Sequence, residues 1–198
     1  KAVEEAVLPE VNADFAKSLG VADGDVAKLR EEVKGNLERE VKRRIQAKIK
    51  EQVMEALIAV TPIEVPKALV QAESQQLADN ARRDLEMRGL KTKDIPVDPS
   101  WFTEQAERRV KLGLIMAELV KVNELHAKPE QVRALVEEMA QSYEDPSELV
   151  RWYYAQPERL AQAEAVVIED NVVAWVCEKA ETTDKPVAFD ELMGNNAA

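Results

Sequence analysis

Residues 25–60 read DVAKLREEVKGNLEREVKRRIQAKIKEQVMEALIAV and contain no proline. Apolar residues recur in steps of three and four from Val26 to Leu57, which places them on one side of an α-helix. Asp25 precedes this stripe as a suitable N-cap, and Pro62 follows it and stops the helix. The sequence therefore predicts a single long helix over these residues.

A helix of this length would measure about 54 Å at 1.5 Å per residue. A compact globule of 198 residues has a radius of gyration of about 16 Å and a diameter near 40 Å. Gly35 is the weak point of the helix, because glycine costs roughly 1 kcal/mol relative to alanine there. Since the helix exceeds the diameter of the globule, we expect an elongated molecule.

The other predicted helices begin at prolines. Five prolines suit the first helical position, where no N–H is needed: Pro66, Pro99, Pro129, Pro146 and Pro157. With Gly89 as a C-terminal signal, the predicted helices are 66–88, 99–124, 129–142, 146–154 and 157–180. The apolar run from Val166 to Val176 predicts that this part of the last helix is buried all round.

The two ends of the chain show weaker patterns. A short extended segment is expected at each terminus, at Val3–Leu8 and at Pro186–Phe189, and a short turn at Asp190–Met193. Ala, Glu, Lys, Leu and Arg supply about half of the chain, a composition typical of long helices. The predicted fold class is therefore all-α, with a long backbone helix.

Composition also excludes several classes of function. The formal net charge of −11 repels phosphate backbones, so direct nucleic-acid binding is not expected. The apolar stretches are too short to span a membrane, so no membrane partner is expected either. The single cysteine cannot form an internal disulfide, which is compatible with a reducing compartment and a cytoplasmic location.

No catalytic or metal-binding pattern is present in the sequence. The glycine-rich phosphate loops, the serine-hydrolase elbow and the HExxH zinc motif are all missing. His126 is the only histidine, so a histidine-rich metal site is impossible, and a surface or capping role is expected. Cys177 lies in an apolar helix and is read as a small buried hydrophobe. We predict no catalytic residue, no metal and no cofactor.

Several stretches resemble the trigger factor family of ribosome-associated bacterial chaperones, and specifically its C-terminal portion. The resemblance runs in order over essentially the whole chain. It is carried by residues 29–40, 107–114, 123–125, 135–146 and 189–193, which include LVEEMA at 135–140 and FDELM at the end.

The resemblance implies a helical substrate-binding domain with a body, two helical arms and a cradle between them. Residues 1–20 would be a linker or exit segment from an absent isomerase domain, and residues 21–198 the helical domain. The arms would cover about 66–125 and 128–180. In this family, ribosome docking belongs to an N-terminal domain and prolyl isomerisation to an inserted domain, neither of which is in this sequence. The resemblance therefore implies that this chain is not itself an enzyme.

Large apolar side chains among charged residues suggest how such a domain would bind nascent or unfolded polypeptides. Ordinary core packing explains many of them, but several lie on helices with little other apolar surface. The candidate client-binding residues are Met54, Leu57, Met87, Trp101, Phe102, Leu112, Met116, Met139, Tyr143, Trp152 and Tyr153.

Three hypotheses follow for the chain. The first is an ATP-independent chaperone domain that binds unfolded chains, and the second is an accessory domain of a prolyl isomerase. The third is a structural or dimerisation module, and a weak homodimer stays open. The basic run Arg39–Lys50 is expected to be a solvated face paired with neighbouring glutamates, although it would also suit an anionic surface.

Overall fold

The computed structural model describes residues 9–90, 96–141, 143 and 145–194. Within these residues the regular structure is helical and contains no β-strand, which confirms the all-α class. The helices are α1 (Ala13–Ser18), α2 (Val26–Val60), α3 (Lys67–Met87), α4 (Thr103–Asn123), α5 (Pro129–Ala140), α6 (Pro146–Tyr154), α7 (Pro157–Lys179) and α8 (Phe189–Met193). A 3₁₀ helix, Pro99–Phe102, directly precedes α4.

Two compact units make up the chain. The first comprises Lys1–Lys48 and Asp184–Ala198, and the second comprises Ile49–Thr183. Residues of α2 contribute to both.

The long helix α2 confirms the prediction from its apolar stripe. Asp25 caps it: its Oδ1 accepts hydrogen bonds from the backbone N–H groups of Ala27 at 2.8 Å and Lys28 at 3.3 Å. The helix continues through Gly35 without a break. Near its C-terminus, the Nζ of Lys111 on α4 donates to the carbonyl oxygen of Ile58 at 2.9 Å, which satisfies a carbonyl that lacks a partner within the helix.

The core of the second unit joins three helices. It consists of Val53 and Leu57 from α2, Ile115 and Val120 from α4, and Val172 from α7. A second cluster joins α5 to α7 through Val132, Val136, Ala163 and Val167. The α5–α7 cluster consists of valine and alanine only, whereas the three-helix core also contains Leu57 and Ile115.

Small residues allow α3 and α4 to pair closely. Ser74 and Ala78 on α3 and Ala106 on α4 are buried, and the pair is joined at its surface by an ion pair of 3.0 Å between Arg109 and Glu73. The Ser74 hydroxyl has no hydrogen-bond partner among the described residues. These helices are those assigned to the first arm, although the division into two arms stays a prediction.

The joint between α4 and α5 depends on an amide pair. Helix α4 ends at Asn123, and its C-cap is Glu124, a non-glycine residue in the left-handed region at φ 55°. Nε2 of Gln131 donates to Oδ1 of Asn171 at 2.8 Å, and Nδ2 of Asn171 donates to the carbonyl oxygens of Leu125 and His126 at 3.4 and 3.3 Å. The loop after α4 is thereby bonded to α7.

Each terminal region contains a short helix that the local patterns did not indicate. Within residues 1–20, α1 is capped at its first turn by Asn12, and the assignment of these residues to a linker stays a prediction. The turn expected at 190–193 is α8, which already begins at Phe189, the last residue of the expected extended piece. The other expected extended segment, Val3–Leu8, lies outside the described residues.

Two further expectations were wrong, one about prolines at helix starts and one about the burial of the last long helix. Pro66 occupies the N-cap of α3 and not its first helical position, and Pro99 opens the 3₁₀ helix. The run Val166–Val176 is not buried all round, since Val166 is 40% exposed. Ile168, Val173 and Val176 are half-buried against the core of the second unit, so the run is covered on part of its circumference only.

Replacing Gly35 by alanine is expected to stabilise the chain by about 1 kcal/mol, because alanine has the better helix propensity. An added Cβ would meet only the side chain of Arg39 at 3.6 Å, an ordinary contact. Gly89→Ala is the matched control: Gly89 has open space but a φ of +79°, so alanine there should destabilise. Urea unfolding followed by circular dichroism measures both, and a destabilised Gly35→Ala variant would contradict the assignment of Gly35 to a regular helix.

Candidate functional site

The candidate residues from the sequence divide by exposure. Five of them carry large apolar surface in contact with solvent: Met87 (80% exposed), Trp101 (66%), Tyr143 (59%), Trp152 (48%) and Met139 (42%). Side chains of this size usually bury most of their surface in a folded protein. Their exposure leaves apolar area available for a partner.

The other six candidates are partly or fully buried. Met54 and Met116 pack against the core of the second unit, Tyr153 packs against the α5–α7 cluster, and Phe102 and Leu112 are half-buried. Leu57 must be removed from the candidate list, because its side chain is only 9% exposed and belongs to the core of the second unit. At Leu57 the apolar stripe of α2 faces α4 and α7, so this side chain is not part of an exposed patch.

The aromatic residues of α6 form an ordered cluster. The rings of Trp152 and Tyr153 meet edge to face, with centroids 5.2 Å apart and planes at 83°. The guanidinium of Arg159 lies 3.7 Å from the centre of the Trp152 ring and donates through Nη1 to the Trp152 carbonyl oxygen at 2.9 Å. Cation–π contact and hydrogen bond together hold the indole in one position, which lowers the entropy cost of binding against it.

The start of α6 is fixed by Asp145. Its Oδ1 accepts from the backbone N–H groups of Ser147 and Glu148, both at 3.0 Å, and from the Ser147 hydroxyl at 2.6 Å. The Ser147 hydroxyl and the Glu148 N–H hold the pKa of the Asp145 carboxyl below its usual range. The cap positions the turn from which the aromatic cluster projects.

A second apolar surface, in the first unit, was missed by sequence reasoning. A groove of about 860 Å³ runs beside the first half of α2. Its apolar lining includes Phe15, Val33, Leu37, Val41, Ile45 and Phe189, and its charged lining is Arg30, Lys34, Glu38 and Lys42. The signal that could have revealed this groove is the apolar stripe of α2. None of the predicted helices close to it in the sequence was assigned to cover its first half.

The basic run on α2 is engaged in local pairs. Arg43 and Arg44 both contact the Glu40 carboxylate, at 2.7 and 2.8 Å, and Arg44 also donates to the Met193 carbonyl oxygen at 3.4 Å. Hydrogen bonds from Arg44 and then Arg43 lower the pKa of Glu40. This supports the expectation of a solvated face paired with glutamates.

Within the described ranges, no group of three or more His, Cys, Asp or Glu side chains is arranged to hold a metal ion. His126 is exposed at the α4–α5 loop, and Cys177 is half-buried on α7. None of the helices in these ranges has both the length and the apolar content needed to cross a membrane.

Comparison with known proteins identifies the family. A family model described as the bacterial trigger factor protein (TF) C-terminus matches residues 25–178, from the cap of α2 almost to the end of α7. The chain belongs to the trigger factor family. The predicted resemblance is thus confirmed.

Individual trigger factors align along the whole chain. The trigger factor of Azoarcus sp. (strain BH72) is 79% identical over 197 residues, which cover 100% of this chain and 45% of the relative. That of Aromatoleum aromaticum is 76% identical with the same coverage, and that of Herminiimonas arsenicoxydans is 57% identical over 44% of its own length. The chain therefore spans a little under half of the trigger factors it matches.

The Asp145 cap gives a testable pH dependence. Asp145→Ala should lower the melting temperature at neutral pH, because it removes the N-cap of α6. Asp145→Asn keeps an accepting oxygen and should retain most of the stability that the cap provides. The pKa of Asp145 in the folded chain lies below its unfolded value of about 3.9. The stabilisation that depends on its charge is therefore fully present above the unfolded pKa and is lost as pH falls through the folded pKa. Thermal unfolding at pH 7 and pH 2.5 measures this, and an equal difference between wild type and Asp145→Ala at both pH values would contradict it.

Proposed function

We propose that this chain acts as an ATP-independent chaperone domain that binds nascent or unfolded polypeptides and prevents their aggregation. The observation that carries the proposal is the exposure of large aromatic and methionine side chains on stable helices, led by Met87, Trp101 and Trp152. Membership of the trigger factor family supports it. The proposed client-binding set is the earlier candidate list without Leu57.

Unfolded chains expose apolar side chains that folded proteins bury, and these are the groups such patches would contact. Burial of one Leu- or Met-sized side chain contributes about 1.5–3 kcal/mol before ordering costs. Those costs are large, because an unfolded client loses chain entropy when it binds. Each separate patch would therefore bind weakly.

Several weak patches on one scaffold give useful affinity through effective concentration. Exposed candidates lie on both helix pairs, with Met87 and Trp101 at α3–α4 and Met139 and Trp152 at α5–α6. A client that contacts both would be held by avidity and released patch by patch, so no nucleotide is needed for release. The net charge of −11 keeps a surface with this much apolar area soluble.

Other properties of trigger factors are extended to this chain only as part of the proposal. If the chain binds nascent polypeptides, it acts in the cytoplasm. Contact with the ribosome would be made by the parts of the longer relatives that lie outside the aligned residues. The accessory role for a prolyl isomerase belongs to the same full-length context. Self-association of the chain into a weak homodimer is measured by sedimentation in the experiments below.

The purified chain is expected to show no prolyl isomerase activity. The reason is that the sequence shows no catalytic pattern, and the family resemblance assigns isomerisation to a separate inserted domain. Refolding of a protein limited by proline isomerisation, which takes tens to hundreds of seconds uncatalysed, measures this. Acceleration that copurifies with the chain and scales with its concentration would show the prediction to be wrong.

Polar substitutions at the exposed candidates are expected to weaken client binding without unfolding the chain. Met87→Gln with Trp101→Ser, and Met139→Gln with Trp152→Ser, each remove one patch and should reduce suppression of aggregation of a refolding protein several-fold. Val122→Gln is the matched control, because Val122 is 65% exposed but lies outside the set.

Two outcomes would contradict this function. Unchanged binding in both double variants, with unchanged circular dichroism, would remove the patches from the binding mechanism. Affinity that collapses between about 50 and 200 mM salt, as expected of phosphate-type contacts, would point to the basic run Arg39–Lys50 instead. Sedimentation of the same samples reports self-association.

A further inference from the structure

The Trp152 ring on α6 is held by two contacts from one side chain. The guanidinium carbon of Arg159 lies over the ring, 3.7 Å from its centroid. Nη1 of the same guanidinium donates to the Trp152 carbonyl oxygen at 2.9 Å. Trp152 is nevertheless 48% exposed. One face of an exposed aromatic ring is therefore already occupied by a positive charge.

The Tyr153 ring determines how much of the second face of the indole is open. The two ring centroids are 5.2 Å apart and the planes meet at 83°, and in such a pair one ring presents its edge to the face of the other. If Tyr153 supplies the edge, both faces of the indole are covered and its own edge is what a partner meets. If Trp152 supplies the edge, its second face is open but lies opposite the guanidinium. In both arrangements, a client meets an indole that Arg159 has already polarised.

A cationic client side chain gains little from an indole in this state. The attraction between a cation and an aromatic ring depends on the negative potential of the ring face, and the Arg159 charge compensates that potential from 3.7 Å. A lysine or arginine on the opposite face would also stand about 7 Å from the guanidinium, a distance at which like charges repel. The ring therefore disfavours a second cation.

An uncharged apolar side chain meets neither of these costs. Its contact with Trp152 removes apolar surface of both partners from water. An aromatic partner gains further attraction from offset-stacked or edge-to-face geometry. Because Arg159 already fixes the indole, little additional side-chain entropy is lost when the partner binds.

The charge of the surrounding sequence would by itself predict the opposite preference. Residues 129–165 contain eight Asp or Glu and three Lys or Arg, so basic client segments are attracted to this part of the chain. That attraction acts over longer distances and is screened by salt. The contact with the ring is local, so the two effects can be separated by experiment.

We infer that Arg159 is a positioning residue that sets the specificity of the Trp152 ring, which accepts uncharged apolar client side chains, aromatic ones above all, and excludes lysine and arginine. The inference rests on the proposed function, because it requires that clients contact Trp152. It adds the class of side chain that this patch selects. Arg159 acts through the indole and need not touch the client.

Two fluorescein-labelled peptides of about ten residues test this by anisotropy with the full chain. They share an uncharged host sequence with two leucines and differ at one central position, which is phenylalanine in one and arginine in the other. The measured quantity is the ratio of the two affinities at about 0.15 M and at about 0.5 M salt, since screening removes the longer-range attraction at the higher concentration. Arg159→Leu should reduce the preference for phenylalanine about three- to fivefold at both concentrations, because the ring face becomes available to a cation.

Three further variants separate this role from a structural one. Arg151→Leu is the matched control: it removes the same charge next to Trp152 in the chain, from a side chain whose Nε donates to the Ser147 carbonyl oxygen, and should leave the ratio unchanged. Arg159→Lys keeps the charge and should retain most of the preference. Combined with Trp152→Ser, Arg159→Leu should have no effect on the ratio.

Folding of each variant is checked by circular dichroism. If Arg159→Leu disturbs folding, Arg159→Gln is a second uncharged variant, for which the same reduction in the ratio is expected.

Other results would overturn the inference. An unchanged ratio in the folded uncharged variants would show that Arg159 does not set the preference. An equal change in Arg151→Leu would reduce the effect to the net charge of the helix. In both cases, weaker suppression of aggregation by Trp152→Ser would leave the proposed function standing. If Trp152→Ser changed neither peptide binding nor suppression, clients would not use this ring, and the inference would fail together with this part of the proposed client-binding set.

Discussion

Contact among Val53, Ile115 and Val172 holds α2, α4 and α7 together, and the arrangement of the second unit depends on it. Among the residues that the structure describes, the two largest fully buried side chains are Val172 and, in the neighbouring cluster, Val136. Leu57 and Val120 complete this core, and half-buried side chains such as Met54, Met116 and Ile168 pack against it. The stability of the unit therefore comes from contacts that all three helices supply together.

Polar contacts around this core fix geometry more than they add stability. Lys50 on α2 meets Glu169 and Asp170 on α7 at 2.7 and 3.3 Å. Partial burial lowers the pKa of Lys50, but the hydrogen bond and charge of Glu169, with those of Asp170, outweigh it and raise that pKa overall. The Glu169 and Asp170 side chains are 47% and 59% exposed, so solvent screening keeps the net contribution of these ion pairs small. Their effect is to fix the register of α7 on α2.

The cluster between α5 and α7 takes up one of three consecutive aromatic residues of α6. Tyr153 packs against that cluster, whereas Trp152 and Tyr154 are about half exposed. The Arg159 guanidinium holds the Trp152 ring in place, and the Asp145 cap fixes the start of α6. Two of three consecutive aromatic side chains of α6 thus leave apolar surface outside the core.

Local sequence signals were sufficient for most helix boundaries. Asp25, Pro129, Pro146 and Pro157 each mark a helix start through the chemistry of a single turn, which depends on nothing distant. The predictions failed where tertiary context acts: the run Val166–Val176 was expected to be buried all round, but the elements that pack on α7 leave Val166 40% exposed.

The nature of the apolar stripe on α2 shows the limit of the pattern most clearly. Spacing alone places Val33, Leu37, Val53 and Leu57 on one helix face and cannot distinguish among them. Burial of the last two comes from α4 and α7, which reach them only through tertiary packing. Periodicity specifies which side of a helix is apolar, but the presence of a neighbouring element decides whether that side becomes core or stays exposed.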